Sequence, residues 1–218
     1  HGGNVRRNYL ALGSGFFEGE GARDTFVPEQ ICETLKEKSL VTMSCEKNLF
    51  VNPLACRAVA ARQSWIETKG WAIHAAGMPA YFGAFPRSLH AKFIFSANWS
   101  KKSNNCSSPW VYLGSGNLTK PGLMNKAGSL GNLEAGVIFA PDALRWSVEG
   151  KKDEGEDVVT NLLPIHWDNP EETSLPTLQA GQDMPERDTA FVAAPVALFL
   201  WSEWPEGGSL TTQGEVLE

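Results

Sequence analysis

The sequence predicts an α/β fold with a mixed, mainly parallel sheet flanked by helices on both faces, and three observations carry that prediction. Short apolar runs alternate with helix-spaced apolar stripes between 8 and 75, in the order strand, helix, strand, helix, strand. Two further apolar runs, 89–96 and 110–113, are bounded by polar residues and glycines. At 218 residues and 42% hydrophobic content, the chain can bury one domain with room for an appended piece.

Each element has its own signal. Residues 8–12 read as a strand running into a loop rich in Gly and acids over 13–24. Pro28 then sits in the first turn of a helix over 27–38, whose stripe is Ile31, Cys32 and Leu35. Residues 40–44 read as a short buried strand. Asn52-Pro53 reads as an Asn cap with Pro at the first helical position, opening a helix to about Thr68 with Leu54, Ala58, Ala61, Trp65 and Ile66 on its apolar face. Gly70 ends that helix, and 71–75 is the next strand, with His74 as a core or edge residue. The strand predicted over 89–96 is separated from 110–113 by a hairpin-like polar insertion at 98–109, and a Pro-bearing helix starts at 118–122.

Beyond Asn161 the chain changes character, with prolines at 164, 170, 176, 185, 195 and 205 and with acids in runs. The expected division is therefore a main domain over 1–168 and an irregular extension over 169–218 with one or two strands, which also reads as the start of a further domain. The apolar run 191–201 is about half a bilayer-spanning length and contains Pro195, so it reads as a core strand, and 206–218 reads as a loop followed by a frayed end or by a truncated next domain. The N-terminus lacks the apolar core of a signal peptide, and the expectation is a cytoplasmic protein with no membrane partner. The first residue is His rather than Met, which reads as a piece cut from something longer.

Cys32, Cys45, Cys56 and Cys106 form no CxxC pair and have no His at ligand spacing, so free, buried thiols are expected, with no metal and no cofactor. The net charge is −6, yet 68–133 contains no acid while carrying Lys69, Arg87, Lys92, Lys101, Lys102, Lys120 and Lys126. Such a distribution suits an anionic substrate, with nucleic acid the expected partner.

The chemical signal lies within that stretch. On a strand, His90 and Lys92 share one face while Ala91 and Phe93 point to the other. The second run delivers Gly114, Ser115, Gly116 and Asn117 at its end, where glycines let backbone N–H groups approach an anion. HxK followed by GSxN resembles the signature of the phospholipase D superfamily. The family's usual Asp would fall at Ala97, and the gap to Asn117 is long, which looks like the tyrosyl-DNA phosphodiesterase branch and its second half. The segments 132–139 and 163–168 resemble that branch as well.

The resemblance implies a metal-independent phosphodiesterase working through a phosphohistidine: His90 attacks phosphorus, while Lys92 and Asn117 hold the non-bridging oxygens. Gly114, Ser115, Gly116 and Lys120 assist with phosphate, and Glu134, on a third strand, orients the His90 ring. The family uses two HxK motifs and this chain has one. The second would come from an identical subunit or from another phospholipase D-like repeat. Two other readings stay open: a noncatalytic half-domain that binds nucleic acid or protein, and a phospholipid hydrolase.

Overall fold

β1 (Arg7–Gly13) sits centrally because both faces of its apolar run are used: Tyr9 and Ala11 join one buried cluster, Leu10 and Leu12 another. The computed structural model describes residues 5–18, 26–79, 88–100, 102–126, 130–147, 155–165 and 177–179, with the backbone of three strands between 200 and 217. α1 (Val27–Glu37) carries Pro28 in its first turn and buries Val27, Pro28 and Cys32. It leads into β2 (Val41–Val51), longer than the strand expected at 40–44 because Leu49, Phe50 and Val51 are themselves buried. Two short helices, α2 (Arg57–Ala60) and α3 (Gln63–Thr68), stand where one continuous helix is predicted. Gly70, at φ 78°, closes the second of them before β3 (Trp71–Ala75).

β4 (Lys92–Ser100) and β5 (Ser103–Gly114) form a long hairpin, and β6 (Gly136–Phe139) and β7 (Leu144–Arg145) both pair with β5. The strand order is β3-β2-β1-β4-β5-β6. Only the β1–β2 and β2–β3 pairs are parallel; β1–β4, β4–β5, β5–β6 and β5–β7 are antiparallel. The mainly parallel sheet is thus corrected to a mostly antiparallel one. The cause is the tight reversal between Ser100 and Ser103, since so short a connection can join only antiparallel strands. The polar stretch 98–109 is hairpin-like as expected, but its residues belong mostly to β4 and β5 themselves.

Helices α1 to α3 pack on one face, where Cys32, Val59 and Ile66 meet Leu10, Leu12 and Leu49. The other face, with Phe50, Phe93 and Phe95, is covered by 144–147 and 155–165. That covering is largely irregular among the described residues, with Trp146 at its centre and one helical turn, α4 (Val159–Leu162). Among the described residues, three helices lie on one face and the single turn α4 on the other. No helix among the described residues is long and apolar enough to cross a membrane.

The chain divides into two compact units, His1–Gln182 and Asp183–Glu218. The boundary expected at 168/169 lies outside the described residues. In the second unit β8 (Leu200–Trp204), β9 (Gly207–Thr212) and β10 (Glu215–Leu217) form an antiparallel meander, so the expected frayed end carries two strands. Of the strand expected over 191–201, residues 191–199 lie outside the described residues.

Candidate functional site

Strand direction gathers the motif residues at one end of the sheet. β1 and β2 finish there, β4 begins, β5 finishes and β6 begins, and Lys92 is the direct cross-strand partner of Gly114. The HxK and GSxN segments therefore meet, as the sequence predicts. Lys92 is half-buried and Phe93, beside it, is fully buried and in ring contact with Phe50, so the first residue of β4 is firmly based. His90 differs from expectation. It lies two residues before the strand, exposed, and its ring makes no hydrogen bond to a described residue, so the shared strand face of His90 and Lys92 does not exist. The apolar run that suggested a strand from 89 is broken because Leu89 is turned into a core contact instead, 6% exposed, with its peptide groups bonded elsewhere.

The GSGN segment is built by polar locks. The Ser115 hydroxyl donates to Glu134 Oε2 at 2.5 Å and accepts from the Ala135 N–H at 3.0 Å, while the Ser115 N–H donates to the Ala135 carbonyl at 2.9 Å. Asn132 Nδ2 donates to Glu134 Oε1 at 3.0 Å. These bonds, first that from Ser115 and then that from Asn132, hold the Glu134 carboxyl below its ordinary range, with the nearby Lys92 charge adding to them. Both carboxylate oxygens are taken, and Glu134 precedes β6 rather than lying on it. In the structure Glu134 braces the Ser115 turn, and it makes no hydrogen bond to His90. Ser115 serves the same brace, with both its hydroxyl and its N–H bonded to the Glu134–Ala135 segment.

Gly116 is buried, and a Cβ there would lie 2.7 Å from the Gly122 carbonyl oxygen and 3.4 Å from Glu134 Cγ, so glycine is required by packing. Gly114 is closed in by the Tyr112 ring in the same way. Leu118, 1% exposed, is driven into the helix-side core and bridges Phe17, fixing the chain directly after Asn117. The Asn117 Oδ1 is buried and meets no hydrogen-bond partner among the described residues. An unsatisfied buried amide costs roughly 1–3 kcal/mol. A half-turn about χ2 would present the amide N–H groups at that position instead, and an anionic oxygen would satisfy them. Lys120 opens a single π turn, Lys120–Met124, in place of the helix start expected at 118–122; its N–H donates to Glu18 Oε2 at 2.5 Å. Its ammonium makes no hydrogen bond or ion pair to a described residue.

Three contributors carry no motif. Asn52, read from sequence as a helix cap, instead binds both peptide groups of Leu89: its Oδ1 accepts from the N–H at 2.6 Å and its Nδ2 donates to the carbonyl at 3.1 Å. Gly15 lies against the same carbonyl, where a Cβ would come within 2.6 Å of the oxygen. Ser14 Oγ accepts from the Leu118 N–H at 3.4 Å, so the loop after β1 touches both motif segments. No local pattern signals these contacts, because each spans more than 35 residues.

The positive stretch is not gathered at the site. Lys102 stands at the hairpin tip, roughly 30 Å from Lys92 at about 3.4 Å per strand residue. Lys69 lies over the Trp65 ring at the start of β3, also the far end of the sheet. Arg87 and Lys101 fall outside the described residues, as do His1 and His166. His74 Nε2 is within 2.9 Å of Asn48 Oδ1 and the ring stacks on Phe50, a structural role as expected. All four cysteines are free and buried, and burial pushes the Cys45 and Cys106 thiols up to about 12. No three His, Cys, Asp or Glu side chains among the described residues group to hold a metal ion. A cavity of about 630 Å³ is lined by residues 60–65 of α2 and α3 and contains none of the motif residues.

No family model matches the chain, and no curated protein matches it. Among solved structures it is similar to a crystal structure of a mutant yeast tyrosyl-DNA phosphodiesterase, with a TM-score of 0.32 and 13% identity over 67% of this chain. The matched part spans 27% of that phosphodiesterase.

Proposed function

We propose that this chain supplies half of a metal-independent phosphodiesterase site of the phospholipase D kind. The observation that carries the reading is the Lys92–Gly114 cross-strand pair, which joins HxK to GSxN beside an Asn117 whose buried Oδ1 meets no partner among the described residues. In this reading a neutral His90 ring nitrogen attacks phosphorus. A P–N bond forms as the P–O bond to the leaving group breaks, and the leaving oxygen takes a proton from the acid of the other half-site. Water then cleaves the P–N bond and returns the imidazole. Lys92 and Asn117 stabilise the charge that gathers on the non-bridging oxygens. Glu134 acts through Ser115, keeping the turn that presents Asn117 in register with β4.

Only one histidine carries an HxK pattern in the sequence. The acid therefore comes from a second copy or from another phospholipase D-like segment. Nucleic acid is the proposed substrate, resting on the acid-free 68–133 stretch, although Lys69 and Lys102 stand apart from the site. The test is hydrolysis of bis-p-nitrophenyl phosphate and of single-stranded DNA in excess EDTA. Turnover that EDTA spares and His90→Ala abolishes is the expected result, and turnover lost in EDTA overturns the reading.

A second reading has its own support in the exposed His90 ring, which makes no hydrogen bond to a described residue: a noncatalytic half-domain that holds phosphate through Lys92 without turnover. It predicts salt-sensitive DNA binding that survives His90→Ala.

A further inference from the structure

We infer that Asn52 is a positioning residue for His90, an inference that rests on the phosphodiesterase reading above. The residue that would attack phosphorus stands outside the sheet. β4 starts at Lys92, so no strand ladder holds 88–91, and an unheld backbone cannot present a side chain with the accuracy that displacement at phosphorus needs. Asn52 takes the ladder's place. Its amide binds the N–H and the carbonyl of Leu89, the pair of groups a neighbouring strand would bind, across 37 residues of sequence.

The clamp is mounted on rigid parts. Val51, directly before Asn52, is fully buried on β2 and pairs with Ala75, and the Val51 carbonyl accepts from the Ala76 N–H at 2.8 Å. The Asn52 carbonyl accepts from the Ala55 N–H at 3.0 Å, which closes a turn and sets its backbone. On the other side of the same peptide, Gly15 fills the space so closely that a Cβ would reach 2.6 Å from the Leu89 oxygen and 3.8 Å from His90 Cα. With the Leu89 side chain buried as well, the residue before His90 is fixed by its side chain, its N–H and its carbonyl. His90 is left as the first free side chain next to a fixed backbone.

The chemistry selects an amide. A carboxylate at 52 would accept the Leu89 N–H but oppose its carbonyl, and an alkyl group would leave both unbonded. Asn52 therefore tunes how His90 meets a bound phosphate without itself touching phosphate.

The test is a titration of the full chain, labelled at histidine, with inorganic phosphate, followed by NMR of the imidazole rings; His90→Ala assigns the His90 signal. In the native sequence the His90 ring signal moves on saturation, and Lys92→Ala weakens phosphate at least tenfold. In Asn52→Ala, at a temperature where circular dichroism reports a folded chain, phosphate affinity stays within about threefold while most of the His90 shift is lost. Asn52→Asp, which keeps the N–H contact, retains an intermediate shift and serves where Asn52→Ala does not fold. A loss of stability alone would leave the phosphate-induced His90 shift intact. If both Asn52 variants shift His90 as the native chain does, the inference is overturned and the phosphodiesterase reading stands. If native His90 ignores phosphate, or Lys92→Ala binds it equally well, that reading fails and takes the inference with it.

Discussion

The two flanks of the β4–β5 hairpin are built on different physics. Toward β1, Phe93, Phe95 and Ala97 are fully buried between strand neighbours and the Trp146 cover, with Tyr9, Phe95 and Trp146 in edge-to-face contact. Toward β6, all four residues of the edge strand are exposed, with Val137 at 61% and Ile138 at 69%. The motif lies across this divide, Lys92 on the buried flank and the Ser115–Glu134 brace on the exposed one. Where apolar burial stops, defined polar bonds take over the task of fixing the chain, and the chemically useful side chains stand at that border.

Removing apolar volume from each flank exposes the contrast most strongly. Phe95→Ala should cost roughly 3–5 kcal/mol of stability in denaturant unfolding, because a fully buried ring leaves a cavity. Val137→Thr on the edge strand should stay within about 0.5 kcal/mol of the native chain. Equal losses at the two positions would mean that β6 is covered in solution.

Next in size is chemistry without stability. His90→Ala should reduce phosphodiester hydrolysis by about 10³-fold or more while leaving the unfolding midpoint unchanged, since the ring is exposed and makes no hydrogen bond to a described residue. A shifted midpoint would mean that the ring has a packing role. Ser115→Ala should then lower kcat by roughly tenfold with little effect on the core, since it releases Glu134 and unpins Asn117 through the turn. Kinetics and thermal unfolding on the same preparation separate the two effects.

The smallest effect is with pH. Glu134 is held below its ordinary value when folded, so the brace contributes fully above the unfolded-state value of about 4.3 and is lost as pH falls through the lower folded-state value. The protection factor of the Ser115 amide, whose N–H meets the Ala135 carbonyl, should fall on that acid limb once the intrinsic pH dependence of exchange is divided out. Glu134→Gln should remove the acid limb, and an unchanged limb in that variant would assign it to another carboxylate.

Much of this arrangement was legible in the sequence because it is written in local periodicity. The strand at 71–75 agrees residue for residue, and β1 and α1 agree within one residue at each end, for each has its apolar pattern and its own stop signal. The meeting of Lys92 with Gly114 was legible too, from two motifs on successive strands. Sheet direction was not: it turns on a reversal at 100–103 whose polar residues look like any loop. Asn52 was misread because Asn-Pro is a good cap signal and the competing partner, Leu89, is distant in sequence. The Ser115–Glu134 brace was not legible for a related reason, since it is the register of β5 against β6 that brings the two side chains together.

Whether His90, Lys92 and Asn117 form one phosphate site is read from a crystal grown with tungstate, a phosphate-like oxyanion with a strong anomalous signal. A shared site gives a tungsten peak with oxygens within hydrogen-bond distance of Lys92 Nζ and the Asn117 amide and with the His90 ring facing it. A well-ordered crystal with tungsten bound elsewhere, or with Asn117 still unpartnered at saturating tungstate, would contradict it.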